Sequence, residues 1–247
     1  DEEEIVVTAQ KREQRLQDVP APVTAIAADA LVDSNQLSIR DYYSKVPGLD
    51  LSNGNRGETF VSIRGVTTGG YNTPTVGVVI DDVPYGASTG IAGGYSIADI
   101  DPSELQRIEV LRGPQGTLYG VSSLGGLIKY VTVDPSTDRF SGRAQAGVTS
   151  VENGDGLGYS FRGAANIPLG DTFAIRASGY SRHDPGYVDD PSLGIEGVNE
   201  ANARGGRLSA LWRPSETTSL KLSAMFQGYE TDGSPEVFLR PGVGELE

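Results

Sequence analysis

Between Phe140 and Tyr229 the sequence runs almost throughout with a period of two, a pattern that a helix cannot use and an extended strand can. Five stretches carry it: Phe140 to Val151, Gly158 to Ile167, Thr172 to Arg182, Gly206 to Arg213 and Ser219 to Tyr229. Successive side chains of a strand point to opposite sides, so alternation along the chain becomes two chemically distinct faces. In the second stretch Tyr159, Phe161, Gly163, Ala165 and Ile167 share one face, and Ser160, Arg162 and Asn166 share the other. In the fifth, Leu220, Leu222, Ala224 and Phe226 oppose Lys221, Ser223 and Gln227. Arg143, Arg162, Arg176, Arg182, Arg207 and Lys221 all fall on the polar parity. A soluble sandwich turns its apolar face inward, whereas a membrane barrel turns it outward onto lipid. Alternation alone leaves both open.

The connections bear on that choice. Pro168 to Asp171 and Pro214 to Thr218 are short, Val151 to Leu157 is longer, and His183 to Asn202 runs to 20 residues. Membrane barrels have short turns on one rim and longer loops on the other. The longest connection carries Asp184, Asp189, Asp190, Glu196 and Glu200, with no base before Arg204. Several of the stretches also have the roughly 9 to 11 residues that a tilted membrane strand needs.

Composition removes several function classes. The 33 glycines among 247 residues argue for turns and close backbone approaches and against an all-helical fold. A net charge of -13 argues against a nucleic-acid partner, which requires a basic face. There is no cysteine and a single histidine, His183, so thiolate chemistry and a histidine-rich metal site are out of reach and a histidine-based triad has only that one residue to draw on. No phosphate-cradling or dinucleotide-binding glycine loop is present, and neither catalysis nor a cofactor is expected. No apolar run approaches the roughly 18 residues of a spanning helix, and Asp1 reads as the start of a processed chain.

Up to about Asp134 the chain reads as a small α+β domain. Ile5 to Thr8 is a β-branched run, Val23 to Ile26 a strand and Ala28 to Val32 a helical segment. Ser38 with Asp41 forms a capping-box pattern, and the helix it opens must stop by Val46 because Pro47-Gly48 follows. Thr59 to Arg64, Gly77 to Asp81, Ile108 to Leu111 and Leu127 to Val133 read as further strands. The pair Asp81-Asp82 suits a turn better than acid–base catalysis, since adjacent strand residues point opposite ways and Pro84 follows.

Arg107 to Gly120 reads RIEVLRGPQGTLYG. Its strand runs into Arg112 and then into Gly113-Pro114 and Gly116, a stretch expected to be neither strand nor helix. Arg64-Gly65 in VSIRG ends an earlier strand in the same way, VIDDVP lies between the two, and Gly125-Gly126-Leu127-Ile128 follows. In this succession the chain resembles the TonB-dependent outer-membrane transporters. Their plug domain carries an Arg-Gly strand end, a strand with an Asp-Gly-Val-Pro turn, the RIEVLRGP run and a Gly-Gly strand. One position departs from the pattern: Asp82 stands where glycine is usual, so that turn is expected to differ in shape.

The resemblance implies an α+β plug domain followed by antiparallel strands of a transmembrane β-barrel. The complete family barrel has about 22 strands, and this chain offers five. Five open strands would leave unpaired edges, so the chain reads as part of a longer protein. The expected divisions are an N-terminal segment over 1–18, a plug over 19–134 and barrel strands over 135–247. Ile5, Val6, Val7, Thr8 and Ala9 resemble the TonB box, and a β-branched extended segment suits strand addition to a partner's sheet. Arg64 and Arg112 match the arginines of an ionic lock with barrel glutamates, a role for which a bidentate guanidinium is suited. Ligand contact is expected from the stretches holding Arg56, Tyr71, Asn72, Tyr85 and Tyr95. The implied function is active import of a scarce ligand, a ferric siderophore foremost, with cobalamin, haem or oligosaccharide as alternatives. The implied partners are a periplasmic TonB-type coupling protein, outer-membrane lipid of a Gram-negative bacterium and a small ligand such as an iron chelate. The rival from another class is a soluble β-rich binding or adhesion module.

Overall fold

The structure is a computed structural model, described here for residues 5–53, 59–68, 74–86, 100–152, 154–190 and 194–231. The chain divides into two compact units, one formed by Asp1–Asn53 with Glu58–Val133 and the other built on Asp134–Glu247.

In chain order the first unit contains β1 (Val6–Val7), β2 (Gln14–Arg15), β3 (Val23–Ala27), α1 (Ala28–Asp33), α2 (Ile39–Tyr42), β4 (Leu49–Asn53), β5 (Thr59–Ile63), β6 (Val76–Ile80), β7 (Val83–Pro84), β8 (Leu105–Arg112), α3 (Gly116–Tyr119) and β9 (Gly126–Thr132). Its centre is a five-stranded sheet in the order β3-β8-β9-β6-β7, with β6 parallel to β9 and the other pairs antiparallel. The interior strand β8 is buried on both faces, which is why Ile108 to Leu111 reads as a near-continuous apolar run. Ile108, Val110, Ile128 and Tyr130 pack against Ala28 and Leu31 of α1 and Ile39 and Tyr42 of α2. On the opposite face Leu111, Leu127 and Val79 are covered by Val7, Ala9 and Val19. The N-terminal residues therefore form a layer of this unit.

Local chemistry sets the boundaries. Asp41 accepts a 2.8 Å hydrogen bond from the Ser38 backbone and opens α2, as the capping box predicts. Asp81 turns the chain between β6 and β7 with φ of 51°, a conformation that aspartate tolerates, and it accepts from the Thr132 backbone at 2.8 Å. The expectation that Gly113-Pro114 and Gly116 form neither strand nor helix needs correction. A one-turn helix, α3, begins at Gly116, with Tyr119 N–H donating to the Gln115 carbonyl, and Gly120 at φ 78° ends it.

The second unit is an antiparallel meander of β10 (Ser141–Ser150), β11 (Leu157–Pro168), β12 (Phe173–Asp184), β13 (Ala201–Ser215) and β14 (Thr218–Thr231), paired in sequence order. Each strand falls where the alternation predicts it. The exception is β13, which starts five residues earlier than Gly206 because Ala201–Gly205 pair with Gln227–Thr231. That extension shortens the longest connection to residues 185–200. The connection is not structureless, since Asp190 bridges Ile195 and Asn199 accepts from the Tyr187 and Val188 backbones at 2.8 Å.

The two faces of this sheet decide between sandwich and barrel. Arg162 and Arg207 of the polar parity are 6% and 4% exposed, whereas Phe226 and Leu222 of the apolar parity are 67% and 64% exposed. Soluble sheets bury the apolar face. This one presents Leu157, Phe161, Ile167, Leu208, Trp212 and Leu220 outward, the arrangement of a strand set that faces lipid. The outward row nearest the long connection changes character to Tyr159, His183, Asn202 and Glu230, which are cross-strand partners. From Trp212 to Asn202 the strand climbs about 34 Å, or roughly 26 Å along the membrane normal at a tilt of about 40°, matching an apolar band about 25 Å tall.

Candidate functional site

Of the residues expected to carry function, Ile5 to Ala9 are the most fully defined. Val6 and Val7 pair with Arg15 and Gln14 in a two-stranded ribbon, and the Leu16 N–H closes it by donating to the Ile5 carbonyl at 2.8 Å. Ile5 and Val6 are exposed, while Val7 and Ala9 are buried in the apolar layer on the sheet. The segment lies on the sheet with its alternate side chains inserted.

Between those two apolar anchors sits Thr8, over a pair of charges. Glu109 of β8 and Lys129 of β9 are cross-strand partners, 0% and 1% exposed, on the same face as Leu111 and Leu127. The Glu109 carboxylate accepts from the Thr8 backbone N–H at 2.8 Å and from its hydroxyl at 3.2 Å. The Lys129 ammonium donates to the Thr8 carbonyl at 3.1 Å. Each charge has a second partner: Arg107 Nε donates to Glu109 at 2.7 Å, and Lys129 donates to Asp82 at 2.8 Å. One step further along, the Tyr119 hydroxyl donates to the Ala9 carbonyl at 2.8 Å, and the Lys11 ammonium lies 5.3 Å from the centre of the Tyr119 ring.

Burial first, and then the carboxylates of Asp82 and Glu109, push the Tyr119 phenol up from 10.0 to about 12. A raised phenol favours the folded contact fully below its unfolded value near 10.0 and loses it as the pH climbs through about 12. Subtracting the ultraviolet titration of a Tyr119→Phe variant from that of the wild type isolates this phenol. A midpoint near 12 is expected, and one near 10 would show that the hydroxyl is not held.

Arg64 and Arg112 occupy matching positions. Arg112 is the last residue of β8 and Arg64 follows β5 with φ of 55°, and each precedes a glycine in the left-handed region, Gly65 at φ 69° and Gly113 at φ 99°. The two strand ends meet over the Gly-Gly pair. Gly113 N–H donates to the Gly125 carbonyl at 2.9 Å, and a Cβ on Gly126 would run into the Leu111 carbonyl and the Ile63 side chain. Only glycine fits there. Arg64 is exposed, the Arg112 Nε is buried without a hydrogen-bond partner, and among the described residues neither side chain forms an ion pair.

Tyr85 follows β7 at the surface, its backbone N–H donating to the Val78 carbonyl at 2.9 Å. Arg56, Tyr71, Asn72 and Tyr95 lie outside the described residues. Among the described residues no three metal-ligating side chains converge. Glu109, Lys129, Arg107, Asp82 and Tyr119 are the site residues that sequence reasoning missed. The available signal was a carboxylate and an ammonium inside the apolar runs IEVL and LIKY, where a strand covered on both faces has no water for them.

The family profile described as TonB-dependent Receptor Plug Domain matches residues 15–127. The hemin receptor of Yersinia enterocolitica is 30% identical over 189 residues, covering 74% of this chain and 26% of the relative. The vitamin B12 transporter of Vibrio vulnificus is 30% identical over 198 residues, covering 77% of this chain and 30% of the relative. Among solved structures, the ferric yersiniabactin uptake receptor of Yersinia pestis aligns with a TM-score of 0.71 at 25% identity, over 85% of this chain and 32% of that one. The chain thus spans between a quarter and a third of the length of these proteins.

Proposed function

The chain belongs to the TonB-dependent outer-membrane receptors, as their plug domain with the first strands of their barrel, and from that premise we propose that its parent protein actively imports a ferric siderophore complex. Its place is the outer membrane of a Gram-negative bacterium, with the plug in the lumen of the completed barrel. The observation that carries the ligand class is the charge on the inward parity of the strands. Arg143, Arg162, Arg176, Arg182, Arg207 and Lys221 share that parity, and Asp184 is the only acid on it among the described strand residues. A wall so charged attracts and orients an anionic chelate.

Ligand arriving above the plug, at the stretches that include Arg56, Tyr71, Asn72, Tyr85 and Tyr95, alters the exposure of Ile5 to Ala9. A TonB-type periplasmic protein then adds a strand to that segment and transmits force derived from the proton gradient of the inner membrane. Arg64 and Arg112 lock the plug to glutamates of the barrel wall. The buried, unpartnered Nε of Arg112 supports that role, because a buried guanidinium donor left without an acceptor is costly.

Uptake of labelled ligands by a deletion strain carrying the full-length gene tests this reading. Accumulation of a ferric siderophore, abolished when the proton gradient is collapsed, is the expected result. Uptake of haem, cobalamin or an oligosaccharide in its place, or uptake insensitive to the gradient, would overturn it.

A further inference from the structure

We infer that Glu109 and Lys129 form a catch that holds the coupling segment shut by its backbone, an inference that rests on reading Ile5 to Ala9 as the segment a partner captures. Strand addition uses the N–H and C=O groups of the added segment. Here the Thr8 N–H is bonded to Glu109, the Thr8 carbonyl to Lys129 and the Ala9 carbonyl to Tyr119, while Val6 and Val7 are paired with Arg15 and Gln14. The groups a partner needs are the groups the plug occupies. Catch and partner are therefore mutually exclusive at Thr8 and Ala9.

The catch is built to open without leaving stranded charges. When Thr8 departs, Glu109 keeps Arg107 at 2.7 Å and Lys129 keeps Asp82 at 2.8 Å. Both sites also gain water on the face the segment vacates, so each charge stays compensated in the open state. Opening also exposes Val7, Ala9 and the apolar surface they cover, which adds to the weight of the closed state. Two of the three principal bonds are charge-assisted, which gives the closed state weight, and all three reach backbone atoms, so the hold does not depend on the side chain at position 8. Glu109 and Lys129 are positioning residues: they set when the segment is available and need not touch ligand or partner.

The test uses the full-length protein, ligand-free, with a nitroxide on Ile5→Cys as the sole cysteine. The wild type should give an immobilised spectrum. Glu109→Gln and Lys129→Met should each raise the mobile fraction roughly tenfold or more, the weight of one charge-assisted hydrogen bond. Tyr119→Phe, which keeps the ring and disturbs the fold least, should raise it by a smaller factor, and Lys129→Arg should restore immobility. An immobile label in Lys129→Met and Tyr119→Phe alike, or a label already mobile in the wild type, would overturn the catch. If the variants mobilise the label while deletion of Ile5 to Ala9 leaves uptake intact, the catch stands and the coupling role falls. An immobile label with uptake lost on deletion sinks the catch alone.

Discussion

Replacing Leu208 by arginine should destabilise the full-length protein in phospholipid bilayers by about 2–4 kcal/mol, the cost of a cation on the lipid face near mid-membrane. Leu208 is exposed, points outward and sits midway up β13, with Ala177 and Ala224 as its cross-strand neighbours. Asn202→Arg, on the same face but in the outermost row beside His183 and Glu230, should cost only about 0–1 kcal/mol. The contrast is the informative quantity. On a water-exposed sheet both substitutions would fall within about 0.5 kcal/mol of neutral. Equilibrium unfolding from vesicles measures the pair, and equal small effects at both positions would remove the lipid-facing assignment.

What the sequence revealed and what it withheld have separate physical causes. The faces of β10 to β14 were legible because a strand's period is fixed at two, so Arg162 and Phe161 had to part whatever surrounded them. Which face met lipid was not legible, since alternation is the same for a sandwich and a barrel until burial is known. The early start of β13 was hidden because Ala201-Asn202-Ala203-Arg204-Gly205 has poor strand propensity, and pairing with Gln227–Thr231 overrides it. The one-turn helix after Pro114 was hidden for a similar reason, as a glycine-rich stretch carries little helical signal.

The catch was the least legible part. Glu109 and Lys129 meet Thr8 across 101 and 121 residues of sequence, and the atoms they hold belong to the backbone, which every residue has alike. Arg64 and Arg112 were found by resemblance, while the reason for the glycines beside them became visible only when Gly126 proved to have no room for a Cβ.

Loss of Ile5 to Ala9, the proposed coupling segment, should have the largest functional effect of any change to this chain. Val7 and Ala9 cover Leu111, Leu127 and Val79 on one face of the sheet, whereas Ile108, Val110, Ile128 and Tyr130 pack with α1 and α2 on the other face without them. Deleting Ile5 to Ala9 should therefore leave a folded plug and an intact ligand site. The protein would keep its ligand affinity and lose the point at which force is applied.

Binding and uptake measured on the same cells, for the full-length protein and for the form lacking Ile5 to Ala9, test this most directly. Equal surface binding of labelled ferric siderophore with accumulation reduced to the background of a strain lacking the gene is the predicted result. Accumulation at the wild-type rate from the deleted form would contradict it.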